Sequence, residues 1–385
     1  TDALGANTIG TWNIAIGDDA LLVNTTGVSN VAIGRDALVA NTVGDSNVAV
    51  GDQALDANTT GIDNVAIGAN ALGANTIGTD NIAIGDDTLL VNTTGIQNIA
   101  IGGDALTGNT IGTNNVGIGK SALAANTTGI KNIAIGDTAL DAATITTNNI
   151  AIGFDSLGAA TTGVNNIAIG VAAANALTIA TNCIAIGDDA LGACTTGINN
   201  IAIGGGGAGL AITTGTGNIC VGFNTEVSAA GAIDQYVIGH DVTGTADNAT
   251  FIGDAGAHVR NDWGVDATWD AVSDLRKKNV IGLSKLGLDF IRELQPIEYT
   301  FKPAKEWPAE WNVSPDYVVD TESKHLALGA QDVKAALDKA GVTVFGGWSM
   351  DPNGQQRIGE SAFVYPLINA VNELTARVVA LEGAA

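Results

Sequence analysis

A seventeen-residue unit recurs twelve times at the start of the chain, marked by Gly17 and every seventeenth residue after it as far as Gly204. A short fixed period means that each unit is one coil of supersecondary structure, unable to bury its own apolar face and obliged to stack on its neighbours. The coil from Asn13 to Ser29 is representative, reading Asn-Ile-Ala-Ile-Gly-Asp-Asp-Ala-Leu-Leu-Val-Asn-Thr-Thr-Gly-Val-Ser. Ile14 and Ile16 alternate with Ala15 in the period of a strand with one buried face, and the isoleucine side is the side expected to face inward. Gly17 and a second series beginning at Gly10 and Gly27 supply two tight corners per coil. Seventeen residues are too few for a strand plus a helix, and no helical period is present. The expected fold class is therefore mainly β, a repetitive β-solenoid or β-roll rod with a 17-residue repeat. At about 4.8 Å per strand, its twelve coils span on the order of 60 Å.

Asn13, Asn30, Asn47 and their successors to Asn166, with Asn200, should stack as a ladder in which each side-chain amide bonds the next. Such a row could be a binding stripe, but satisfying turn backbone is the simpler role. Through Gly222 only Trp12 and Phe154 are aromatic, so each coil is expected to bury two Ile or Val, a Leu and some Ala. A core so thin leads to the expectation that several chains, most simply three, wrap together.

The chain carries 16 Lys and Arg against 40 Asp and Glu. That balance argues against nucleic acid or an anionic membrane as partner. The repeat region holds Arg35, Lys120 and Lys131 against seventeen Asp, so the rod itself is acidic. No run of eighteen apolar residues and no secretory signal is visible, so membrane insertion is not expected. A start at Thr1 instead of Met points to a fragment of a longer protein, with a missing N-terminal region as the joint to further proteins.

Pairs such as Asp18 and Asp19, Asp86 and Asp87, and Asp188 and Asp189 could stack as a calcium row. The same slots elsewhere hold Ala69 and Asn70, Lys120 and Ser121, or Val171 and Ala172, so solvated acidic turns are the better reading and no metal is expected. The Thr rows are too irregular to make ice binding more than a weak option. Cys183 and Cys194 stand in Asn slots of the repeat, and with Cys220 they form neither a disulfide framework nor a metal site. His240 and His258 lack a third histidine nearby and any metal-type spacing. No cofactor is expected.

Organisation along the chain reads as a repeat rod over 1–222, a β-rich cap or neck over 223–272 where spacings turn irregular and bulky residues enter, and a third region over 273–385. The last opens with Ser273, Asp274, Leu275, Arg276, Lys277, Lys278, Asn279, Val280 and Ile281, followed by a helical period over Leu286–Leu294 and then Gln295-Pro296-Ile297-Glu298-Tyr299. A terminal helix over 363–382 carries Leu367, Val371, Leu374, Val378 and Leu381, which alternate by four and three as a heptad seam.

The repeats resemble the Ala-Ile-Gly repeats of trimeric adhesin heads and, more closely, those of phage tail-fibre proteins. Residues 273–385 closely resemble the endosialidase-type intramolecular chaperone that ends phage tail spikes and fibres. The resemblance implies an α+β chaperone domain ending in a coiled-coil helix, which trimerises, guides folding of the rod and then cuts itself off. The implied scissile bond is Val272–Ser273, with Ser273 as nucleophile and Lys278 as catalytic base. A lysine can act so if neighbouring cations such as Arg276 favour its neutral form. Helical geometry would instead bring Lys277, four residues on, nearer to Ser273. Without the resemblance, Ser273 and Asp274 read as a helix start and the lysines as a solvated face.

The expected function is thus a structural tail-fibre protein of a virion, a homotrimer that attaches to a host-cell surface receptor, either a glycan or another envelope component. Enzymatic activity is expected only as single-turnover self-cleavage. Two other classes stay open. A bacterial trimeric surface adhesin shares the rod, but should end in a membrane anchor of alternating strands and not in a helix. A glycan depolymerase needs a unique acidic pair in an aromatic-lined cleft, and the acids here recur as repeat features.

Overall fold

The computed structural model describes residues 2–255, 257–262, 270–271, 284–306, 308, 321–343, 345, 348–350 and 356–383. The chain divides into two compact units, Thr1–Ser273 and Asp274–Ala385.

The first unit is a β-solenoid. Its strands are three residues long, from β1 (Ile14–Ile16) and β2 (Val31–Ile33) to β13 (Ile219–Val221), one per coil. Neighbours pair in parallel one coil apart, so that Ile14 lies beside Val31, Ala15 beside Ala32 and Ile16 beside Ile33. Irregular spacing after Gly204 does not end the stack. β14 (Gln235–His240) adds in parallel to β13, and β15 (Ala249–Asp254) adds in parallel to β14 across a coil shortened to fourteen residues. Only then does the pairing turn antiparallel, through β16 (Ala257–Asp262) and β17 (Asp270–Ala271).

The inward side of each strand is the alanine side, which reverses the expectation. Ala32, Ala49 and Ala66 are fully enclosed, whereas Ile33 and Ile67 keep 36% and 39% of their surface. Space decides this. Gly117 stands in one alanine slot, and a Cβ there would already lie 3.2 Å from the Ala122 carbonyl oxygen and 3.3 Å from Leu106. An isoleucine in that slot would overlap both.

The volume inside the coil belongs instead to Leu21, Leu38, Leu55 and their successors, each 0% exposed, with Ala37, Ala54 and Ala71 beside them. Burying each leucine contributes about 1.5–3 kcal/mol. To point inward these leucines take left-handed backbone, Leu38 at φ 53° and Leu106 at φ 52°. That conformation costs roughly 1–2 kcal/mol for a residue with a Cβ, so burial offsets it with little to spare. One coil redistributes the volume: Ala174 takes the leucine slot and Leu177, also fully buried, takes the neighbouring Asn slot. A single chain therefore closes its own core. The expectation that other chains complete the core is corrected to this extent, and what remains unpartnered is the outward Ile and Val.

The second unit places α1 (Leu288–Glu293), a hairpin of β18 (Pro296–Tyr299) and β19 (His325–Leu328), α2 (Ala330–Lys339), a hairpin of β20 (Trp348–Met350) and β21 (Gln356–Ile358), and α3 (Val364–Glu382) around a small core. Phe290 of α1 packs on Val333, Ala336 and Leu337, which share one face of α2 at helical spacing. Phe345 and Phe363 close the cluster edge-on and face-on to Phe290, with ring centres 6.0 and 6.3 Å away. The expected terminal helix is α3, with Pro366 in its first turn where no intrahelical donor is lost.

Candidate functional site

Val272, Ser273, Lys277 and Lys278 lie outside the described residues, as do the rest of 272–283. The chain is described up to β17, whose Asp270 and Ala271 pair with Arg260 and Val259, and again from Ser284.

The asparagine ladder exists and its bonds are all internal. Asn30 Nδ2 donates to Asn13 Oδ1 and to the Gly44 carbonyl, and its backbone NH also donates to Asn13 Oδ1. The pattern repeats at Asn47, Asn64, Asn81 and beyond, each fully buried. A stripe with no free face cannot read a ligand, so its role is to satisfy turn backbone.

A second ladder was missed. Asn24, Asn41, Asn58 and their successors to Asn126 also stack amide on amide, and Asn41 Nδ2 donates to the same Gly44 carbonyl that Asn30 reaches. The signal was present, since these residues keep the same seventeen-residue spacing. The ladder stops where Ala143 follows Asn126, and Asn126 Oδ1 is left without a partner. The threonines one residue further on are likewise committed: Thr25 Oγ1 donates to the Thr42 carbonyl and Thr42 Oγ1 to that of Thr59. These hydroxyls are therefore not free for ice.

The acidic turns have a conformational cause. Asp19, Asp36, Asp87 and Asp189 hold left-handed backbone at φ 54–57°, and Asn70, Ser121 and Ala172 take it at the same slot. Asp and Asn tolerate that region best, which explains their frequency there without a metal. Among the described residues no group of three or more His, Cys, Asp or Glu is arranged to hold a metal ion.

Cys183 and Cys194 replace amides in the two ladders and point their thiols at one acceptor, the Gly197 carbonyl, at 3.3 and 3.9 Å. The contact with Cys183, and then burial, push the Cys194 thiol up. Burial, helped by the Glu226 carboxylate, raises Cys220 to about 12. The same contact with Cys194 lowers the Cys183 thiol, but all three cysteines are buried, so none is an accessible nucleophile. His240 stacks on Phe223 with Nδ1 3.2 Å from carboxylates of Asp241 and Asp254, and His258 meets Phe251 edge-on.

What remains for partners is apolar surface. On the solenoid it includes the columns that flank the buried alanines, Val31 and Ile33 in β2 and their equivalents, and the bulky residues beside the corner glycines, such as Ile77 and Ile111. On the second unit it is the α3 seam: Leu367, Val371, Leu374, Val378 and Leu381 are 44–74% exposed, while Pro366 and Ala370 are buried. The buried side of α3 is pinned to the start of α1 by Asn369 Nδ2 donating to the Leu286 carbonyl and by Glu373 Oε2 accepting from the Leu288 NH. No helix among the described residues is long and apolar enough to cross a membrane.

Comparison with curated proteins and with solved structures returns no match. Residues 273–342 match the model of the family described as chaperone of endosialidase, and this match follows the β-solenoid along the chain.

Proposed function

We propose that the chain is a structural tail-fibre protein of a phage, a homotrimer that attaches to a host-cell surface receptor and is brought into register by its C-terminal chaperone region. The observation that carries this reading is the union of two parts in one chain, a repetitive β-solenoid and an endosialidase-chaperone segment over 273–342. That union fits a tail-fibre or tail-spike protein. Registration is the physical need behind it. A solenoid of repeated coils can pair with a copy of itself a whole number of repeats out of step, and association of long β-chains is slow. A separate trimer that forms first removes the ambiguity. The exposed α3 seam has the spacing for such a trimer, and the outward Ile and Val columns supply surface that association can cover.

The receptor is proposed to be a glycan or another envelope component, bound by the variable charged turns and not hydrolysed. The repeated acids sit in solvated turns, and the region 1–222 has only two aromatic residues for stacking on sugar rings. Light scattering on the full chain is expected to give three times the chain mass. A chain ending at Val272 is expected to aggregate on refolding, whereas the same rod freed after assembly stays soluble. A folded monomer at micromolar concentration ends the trimer reading.

A further inference from the structure

One face of the solenoid does not have a seventeen-residue period. On either side of the corner glycine represented by Gly27, the two outward positions alternate from coil to coil between a bulky β-branched residue and a small polar one. Thr26 and Val28 are followed by Val43 and Asp45, then Thr60 and Ile62, then Ile77 and Thr79. The exchange continues without a fault through Ile111 and Thr113, Thr128 and Ile130, to Thr196 and Ile198, and it begins one coil earlier at Ile9 and Thr11. Twelve coils obey it, and Asp45 is the one polar residue that is not Thr. The Asp45 carboxylate is satisfied on its own chain by the Val28 NH, at 2.7 Å. The true period of this face is thirty-four residues.

The chain's own packing does not require this alternation. Ile130, Thr147, Val164 and Thr181 neighbour one another as parallel bridges, yet on the adjacent face Ile167, Ile184 and Ile201 stack directly on one another. The core columns of Leu from Leu21 to Leu157 and of Asn from Asn30 to Asn166 repeat every seventeen residues with no such alternation. The cause of the doubled period therefore lies outside the chain.

The geometry points to a second copy of this chain as the occupant of this face, with the column of Thr26 and Val43 in one copy packed against the column of Val28 and Asp45 in the next. Copies arranged head to tail around a closed ring present different edges to each other, which brings these two unlike columns together. Level with level, every contact then joins one bulky and one small side chain, so the gap between copies has constant width. A shift by one coil sets Ile against Ile and Thr against Thr, giving overlap and void in turn, and a shift by two coils restores the fit. In a closed ring each copy gives one column of twelve residues to one neighbour and the other column of twelve to the other neighbour, so all twenty-four outward residues of this face are used. The inference rests on the association of copies proposed above, and adds that the rod itself reads register in steps of two coils.

The test co-produces the full chain with a differently tagged chain lacking one coil (98–114) or two coils (98–131), and measures mixed oligomers by double-tag capture and native mass spectrometry. The chain lacking two coils is expected to mix with the full chain as freely as two full chains do, and the one-coil deletion to mix at least about tenfold less. A second pair of variants guards against a deletion that fails to fold. Thr113→Ile in every copy should lower the melting point of the oligomer by opposing it to Ile111, and adding Ile111→Thr should restore it. Equal mixing of the two deletions, or a Thr113→Ile oligomer that melts as the parent does, overturns the inference and leaves the face to some other ligand. Those results leave the trimer reading intact if the full chain is trimeric, whereas a monomeric full chain removes both.

Discussion

At the scale of single residues, the repeat tolerates change by coupled substitution. In most coils an Asn stands three residues before a corner Gly, as Asn109 before Gly112, and the two are in contact: a Cβ on Gly112 would lie 2.3 Å from Asn109 Oδ1 and 2.5 Å from the Gly129 carbonyl oxygen. The corner glycine is lost at Thr146, Ala180 and Ala232, and in each of those coils the Asn has gone too, to Ala143, Leu177 and Ala229. The reverse is not required, since Ala160 and Cys194 still precede glycines. Backbone conformation is not the reason, because Gly112 has no left-handed φ; the constraint is space beside the amide ladder. Gly112→Ala is therefore expected to destabilise the solenoid by about 1–3 kcal/mol through overpacking. Asn109→Ala costs about 1–3 kcal/mol by leaving Asn92 Oδ1 buried without its donor. The double variant should cost less than the sum by at least about 0.5 kcal/mol, read as unfolding midpoints in denaturant. Strict additivity would mean that the pairing in this sequence has another cause.

At the scale of elements, the sequence made the coil legible but not its inside. Seventeen-residue spacing and the two glycine series set the strand positions, and β1 to β13 fall where they require, with one coil of eighteen residues between β12 (Ile201–Ile203) and β13. A period of two says only that a strand has two unlike faces, and hydrophobicity alone assigned the isoleucines to the interior. The narrow coil decided otherwise, because its volume is filled by one leucine, small alanines and two rows of amides. The second Asn ladder keeps the same spacing, but an Asn before two threonines also reads as an ordinary turn residue, so the spacing alone does not single it out. The helical elements were more direct: a four-and-three seam became α3, and its exposed side is the seam itself. If that seam is the contact between copies, Leu374→Asp should turn the oligomer into monomers without unfolding α1 and α2, since Leu374 lies away from the Phe290 core. Sedimentation and circular dichroism together decide this. A variant that remains an oligomer of unchanged mass removes α3 as the trimer contact.

At the scale of the whole molecule, a chaperone that sets register is needed only once, and its release would lock the assembled rod. A rod cut from the part that aligned it cannot return to the same assembly after melting, so folding becomes kinetically one-way. The cut we propose lies between Val272 and Ser273. The Ser273 hydroxyl oxygen attacks the Val272 carbonyl carbon while Lys278 takes the hydroxyl proton. The carbon–nitrogen bond then breaks, with the proton delivered to the departing Ser273 nitrogen, and water hydrolyses the ester to leave a carboxylate on Val272 and a free amine and hydroxyl on Ser273. The two fragments together should therefore weigh one water more than the chain. Ser273→Ala should abolish the cut and leave the oligomer intact, because the hydroxyl is asked only for chemistry. Lys278→Ala should do the same, and a larger loss with Lys277→Ala would assign the base to the residue four positions on instead. A lysine must be neutral to accept the proton, so the rate should rise between pH 6 and pH 8.5. Mass spectrometry of the assembled protein over days at both pH values reads the outcome directly. If the full-length chain alone persists at both, Ser273 is left as a helix cap and the chaperone as a permanent part of the fibre, holding register by staying attached.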